Sequence, residues 1–257
     1  MSFFKNTLAS IGIGGAKVDT ILHSSQVTSG DAISGVINIL GGNVEQNIKR
    51  VNLFVRTNYE KESNDKKVIA TANIQKHLVE VDKMVFVEER LQIPFSFKLS
   101  KNCPISTYRY KVWVATELDI EKAIDSNDCD SLNVVPSKKM QNLFNAFSEL
   151  GFRSRETENI QSIFRINNLP FVQEFEFVPT SGPLYGRLDE VELIISVNES
   201  GFNLYLEVDR SGRTLGGLIS EALNLDESKV KLNFSNYELE NVETIKNALF
   251  SVISGNC

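Results

Sequence analysis

The chain has 257 residues, room for one large domain or two of about 130 residues each. Hydrophobic residues make up 42% and charged residues 23%, and 15 Gly with 6 Pro exclude collagen-like and low-complexity classes. The 27 Lys+Arg against 33 Asp+Glu leave a net charge of −6, which argues against nucleic acid as a partner because phosphate repels such a chain at long range.

The opening residues, Met1 to Ala16, carry one base (Lys5) and a short apolar stretch broken by Gly12, Gly14 and Gly15. A signal peptide needs a longer apolar run and a more basic start, so export is not expected. The chain contains no run of 18 apolar residues, so no membrane span is expected. Cys103, Cys129 and Cys257 are far apart and odd in number, without metal-ligand spacing. The expectation is a cytoplasmic, reduced protein without a disulfide framework.

Alternation with period 2 then predicts strands at 17–23, 32–40, 51–59, 67–79, 91–99 and 108–116. Turn residues separate them, as at Ser29-Gly30-Asp31 and Gly41-Gly42-Asn43. Pro94 inside a strand predicts an edge or a bulge, because proline has no N–H to give a central ladder. Residues 119–137 read as a polar connection. An EF-hand loop starting at Asp125 fails there, since Cys129 stands at a ligand position and neither the glycine nor the closing Glu follows.

Pro136-Ser137 opens an amphipathic helix with Met140, Leu143, Phe144, Phe147 and Leu150 on one face and Gly151 at its end. Strands are predicted at 160–166, 174–178, 190–197 and 202–208, a short helix at 214–223 and a terminal helix at 237–253. The fold class is therefore mainly β, with a few helices in the C-terminal half. The expected domains are a β-sandwich over 1–130, a second over 131–236 with a helix near its start, and the C-terminal helix over 237–257.

Charge is uneven along the chain. The first 130 residues are neutral and the remainder carries the net −6. Glu174, Glu176, Asp189, Glu190, Glu192, Glu199, Glu207 and Asp209 fall within 36 positions that hold one base, Arg187. Such a run reads as a solvated strand face or as a surface for a basic partner.

Catalytic patterns are missing. His23 and His77 both fall in predicted strands, and neither a Gly-x-Ser-x-Gly elbow nor a His-Glu-x-x-His helix occurs. Gly12-Ile13-Gly14-Gly15-Ala16-Lys17 precedes a strand and lacks the Gly-Lys-Ser/Thr ending of a phosphate loop. Asp189 and Glu190 are neighbours on a strand and so point to opposite faces. Tyr108-Arg109-Tyr110-Lys111-Val112-Trp113 reads as a half-buried strand rather than a base-stacking platform. No enzyme, metal or cofactor is expected.

Four stretches resemble one family. They are Met1-Ser2-Phe3-Phe4-Lys5-Asn6 running on through Ile11–Thr20, Leu169–Pro179, Leu188–Glu192, and Glu207–Arg213 followed by Gly216-Gly217-Leu218. Together they are similar to bacterial sporulation-control proteins of the SpoOM type. Ile93-Pro94-Phe95-Ser96-Phe97 with Tyr110-Lys111-Val112 resembles the broader arrestin-like superfamily. Ser211 departs from the basic residue expected of the family there. The resemblance implies two arrestin-like sandwiches and a non-enzymatic cytoplasmic regulator of sporulation or the cell cycle. It would act as a protein–protein adaptor. Glu174, Glu176, Asp189, Glu190, Asp209, Arg210 and Arg213 are the candidate partner-binding residues. The alternative is a peripheral membrane-surface protein, with Phe3, Phe4, Leu8 and Ile11 as an apolar face. The apolar terminal helix also admits homodimerisation.

Overall fold

The computed structural model describes residues 14–63, 66–120, 127–162, 168–209 and 229–257. The chain forms two units, one of residues 1–57, 73–106 and 111–135, the other of residues 58–72, 107–110 and 136–257. The fold is mainly β, with its helices late in the chain.

The first unit holds β1 (Lys17–Leu22), β2 (Gln26–Thr28), β3 (Ala32–Leu40), most of β4 (Gln46–Ser63), the later part of β5 (Lys66–Val85), β6 (Arg90–Lys98), β7 (Val112–Ile120) and β8 (Asn127–Val135). One sheet has the order β1-β3-β6, and another runs β4-β7-β8-β2 with β5 pairing β4. Alternation explains the pairing. Ile33, Ile37 and Ile39 of β3 are buried together with Val51, Leu53 and Val55 of β4 and Val114 and Leu118 of β7. Most of their outward neighbours are half-buried. Pro94 lies on β6, an edge strand, opposite Val36 of β3, as its missing N–H requires.

Two expectations change here. The polar connection at 119–137 contains a strand: β8 runs antiparallel to β7, with Asp130 opposite Val114 and Asp128 opposite Thr116. The Asp128 carboxylate accepts from the Thr20 N–H at 2.7 Å, so its acids belong to the sheet. Burial first, then Asp128 and Asp19, push the Asp130 carboxyl up to about 6. The predicted strand at 108–116 begins only at Val112. Tyr108 is 96% exposed while Tyr110 is fully buried, because residues 107–110 are a loop that belongs to the second unit.

The second unit is built on an antiparallel sheet of order β13-β12-β11-β10-β9, from β9 (Phe152–Gln161), β10 (Phe171–Pro179), β11 (Glu190–Val197), β12 (Gly201–Asp209) and β13 (Lys229–Ser235). Glu60, near the end of β4, pairs in parallel with Ile160 of β9. Helix α1 (Lys138–Glu149) starts at Ser137, whose hydroxyl accepts from the Met140 N–H at 3.2 Å. It stops at Gly151, whose φ of +89° suits a residue without Cβ. Phe144 and Phe147 of α1 lie on the sheet, with Phe147 stacked on Phe177 at 4.1 Å between ring centres. Helix α2 (Val242–Gly255) follows a single 3₁₀ turn (Glu238–Glu240), and Asn142 of α1 donates to the Leu239 carbonyl at 2.9 Å. Strands β2 and β13 were not expected from sequence, and β9 begins eight residues before the predicted 160–166, of which 163–166 lie outside the described residues. The predicted helix at 214–223 and the apolar residues Phe3, Phe4, Leu8 and Ile11 lie outside the described residues. Among the described residues, no helix is long and apolar enough to cross a membrane.

Candidate functional site

The sheet of the second unit has two unlike faces. Phe175, Phe177, Leu193, Val191, Leu206 and Val208 align across β10, β11 and β12 on the buried face. Their alternates form the other face, and there the register places acid opposite acid. Glu174 stands opposite Glu158, Glu176 opposite Glu192, Glu192 opposite Glu207, and Glu190 opposite Asp209. Strands β9 to β12 carry eight acids and two arginines, a net −6 that equals the charge of the whole chain. Like charges directly across a ladder cost about 0.2–1 kcal/mol each. This face therefore works against the stability of the sheet unless cations or protons relieve it.

Arg155 supplies part of that relief. Strict alternation from Glu158 through Glu156 would send Arg155 to the opposite face. A bulge intervenes: between the pairs Thr157–Phe175 and Ser154–Phe177, two residues of β9 face one of β10. The extra residue re-aims the side chain, and the Arg155 guanidinium pairs with Glu176 and with Glu190. Glu190 is 5% exposed, so its charge is compensated where water cannot reach it.

Arg109 performs the same task at the β9 end. Its guanidinium pairs with Glu60, lies 2.9 Å from Glu158 and 3.7 Å from Glu156. The Tyr110 hydroxyl donates to Glu60 at 3.2 Å, and Lys67 lies 3.6 Å from the other Glu60 oxygen. Burial, then the Glu158 charge, push the Tyr110 phenol up to about 12, so it remains a donor at neutral pH. The loop is held by Asn58, which donates to the Arg109 carbonyl at 3.1 Å.

Glu174 lies at the centre, between the two arginines. Burial first, then the charges of Glu192, Glu158, Glu207 and Glu190, push its carboxyl up to about 8. Its Oε2 is out of water and has no hydrogen-bond partner. Beyond it the acidic face ends in a small apolar cluster of Val172, Ile194, Ile160 and Tyr205, with the Lys231 ammonium 5.5 Å from the Tyr205 ring centre.

Of the sequence-predicted residues, Glu174, Glu176 and Glu190 meet on this face, and Asp209 stands opposite Glu190. Asp189 is exposed just before β11, and its N–H is bonded to the Asp209 carbonyl at 2.9 Å. Arg210 and Arg213 lie outside the described residues. Sequence reasoning missed Arg109, Glu60, Glu156, Glu158 and Arg155. The last three lie in β9, where the Arg-x-Arg-Glu-x-Glu run was a usable signal of alternating charge. Glu158, Glu174, Glu176 and Glu190 are half-buried or buried, and Glu158, Glu176 and Glu190 each pair with an arginine, so the face is not the freely solvated strand surface that a charge run suggests. Among the described residues, no group of His, Cys, Asp and Glu side chains is arranged to hold a metal ion.

Fold and site together define a two-unit β protein whose second unit carries an ion-paired carboxylate sheet face. The chain belongs to the SpoOM protein family, whose model matches residues 4–212. It is 38% identical over 253 residues to the sporulation-control protein Spo0M of Bacillus subtilis strain 168, covering 98% of each chain. It also superimposes on the crystal structure of Spo0M from Bacillus subtilis with a TM-score of 0.87 at 36% identity, over 95% of this chain and all of that one.

Proposed function

We propose that this chain is a non-enzymatic regulator of sporulation that works as a protein–protein adaptor in the cytoplasm, taking a basic partner on the acidic side of its second unit. Family membership supports the sporulation role. One observation carries the adaptor reading: the whole net charge of the chain is matched by four adjacent strands that set carboxylates opposite one another. A basic segment gains there from carboxylates already fixed in place around Glu174, which favours both encounter and register. Exposed Glu156 and Asp189 stand at the margin of the half-buried acids and are the residues a partner meets first.

In-cell crosslinking with mass spectrometry tests this reading, comparing the wild-type chain with Glu156→Lys/Asp189→Lys. Both side chains are exposed, so neither change opens a cavity in the core, and native circular dichroism of the variant is the control. The expected result is a partner with a basic contact segment whose crosslinks to β9–β12 are lost in the variant. Crosslinks that persist unchanged, or a partner contacted through acidic peptides, would overturn the acidic-face reading.

A further inference from the structure

We propose that the free edge of β5, over residues 66–72 of the second unit, is a docking site for an extended acidic segment of a partner protein. It is a second surface, apart from the carboxylate face. Among the described residues β5 pairs with β4 alone, so no described strand lies along its other side, and residues 66–69 are exposed. Such an edge is a template for another strand, and proteins usually blunt it with proline, charge or shortness. Among the described residues, two other edge strands follow that rule. Strand β6 carries Pro94 at its middle, and β13 is seven residues long with Lys229 and Lys231 in its sequence. Strand β5 is 20 residues long and contains no proline.

Within it, Val68-Ile69-Ala70-Thr71-Ala72 is uncharged and rich in strand-forming residues. Val68 is 37% and Ile69 57% exposed. Neighbouring residues on a strand point to opposite faces, so both faces of the ribbon are open at this point. An added strand would gain main-chain hydrogen bonds and cover both side chains, which is the physics of β-augmentation.

Charge selects the occupant. Over residues 66–72 the strand holds Lys66 and Lys67 and no acid, a +2 stretch in a chain of net −6. A second copy paired antiparallel about the centre of 66–72 would face Lys66 and Lys67 with Ala72 and Thr71, bringing no acid to either lysine. An incoming segment with β-branched residues at its centre and Asp or Glu beside the lysines satisfies backbone, apolar faces and charge together.

The test pans a phage-displayed library of random nine-residue peptides against the full chain. Selected peptides are then measured on the wild type, Ile69→Lys and Lys66→Glu by fluorescence anisotropy, and on the wild type by amide hydrogen exchange. The expected peptides carry acids flanking a β-branched centre. They bind Ile69→Lys at least tenfold and Lys66→Glu at least threefold more weakly, and they protect amides of residues 66–72. They bind Glu156→Lys/Asp189→Lys as well as they bind the wild type, which separates this edge from the carboxylate face. Peptides without acidic excess, peptides that bind both edge variants like the wild type, or protection confined to other residues would overturn the proposal. So would a wild-type dimer in light scattering that Ile69→Lys dissolves, because a second copy would then own the edge.

Discussion

Glu174→Gln provides a direct test of how the carboxylate face is balanced. The ordinary carboxyl value is 4.5 and the folded protein raises that of Glu174 to about 8. Between those values the folded state keeps a proton that the unfolded state has lost, so stability falls as pH rises through that window. At 1.36 kcal/mol per unit the full effect is at most roughly 5 kcal/mol. Partial solvent contact and rearrangement of the neighbouring carboxylates bring the expected value to about 2–3 kcal/mol at pH 8. Glutamine keeps the shape of the protonated acid and cannot ionise. The variant should match the wild type within about 0.5 kcal/mol near pH 4.5 and exceed it progressively up to pH 8. At that pH the gain should reach roughly 5 °C in melting temperature. Thermal unfolding followed by far-UV circular dichroism, in steps from pH 4.5 to 9, reads this out. A gap that is the same at pH 5 and pH 8 would refute the reasoning, as would a variant less stable than the wild type at pH 8. The latter would mean that Glu174 is ionised and useful to the fold.

Other perturbations probe the supports of the same unit. Tyr110→Phe removes the hydroxyl that donates to Glu60 and should cost about 1.5–3 kcal/mol in urea unfolding, the range for a hydrogen bond to a charged group. Phe147→Ala empties a fully buried position stacked on Phe177 and should cost about 3–5 kcal/mol by the same assay. Gly201 has φ of +152°, and a Cβ there would lie 1.9 Å from the Phe234 carbonyl oxygen. Gly201→Ala should therefore destabilise the β12–β13 pairing by about 1–3 kcal/mol, seen as faster hydrogen exchange in residues 229–235.

Strands that bury one face and wet the other were legible from their spacing. Strands β3, β6 and β11 fall within a residue of the alternation at 32–40, 91–99 and 190–197. Strand β8 was hidden because its Asp128, Cys129, Asp130 and Ser131 look like a loop, and pairing with β7 overrides that local preference. The reverse error occurred at Tyr108 and Tyr110. They sit two apart like strand neighbours, yet one ring is in water and the other in the core, a distinction that period 2 cannot make. The acidic part of the site was readable as a charge run. Its cations were not: Arg155 reaches the acids through one extra residue in a bulge, and Arg109 arrives from a loop about 50 positions upstream of the strands it serves.

Glu60 ties the two proposed surfaces together. Its carboxylate takes Arg109 and the Tyr110 hydroxyl on one oxygen and lies 3.6 Å from Lys67 of β5 through the other. An acidic segment docking on the β5 edge must compete with Glu60 for the Lys67 ammonium, whose side chain is 71% exposed. Ion pairs this open to water are worth about 0.2–1 kcal/mol. Glu60→Gln should release Lys67 and tighten binding of the edge-selected peptides by about 1.5- to 5-fold. At the same time it weakens the fold where Arg109 loses its buried partner. Anisotropy titrations at 50 and 300 mM salt separate these effects, since the gain is electrostatic and should shrink with screening. Tightening that survives high salt, or no tightening at low salt in a variant with native circular dichroism, would show that Lys67 takes no part in recognition. The lysine would then serve only to offset the charge of Glu60.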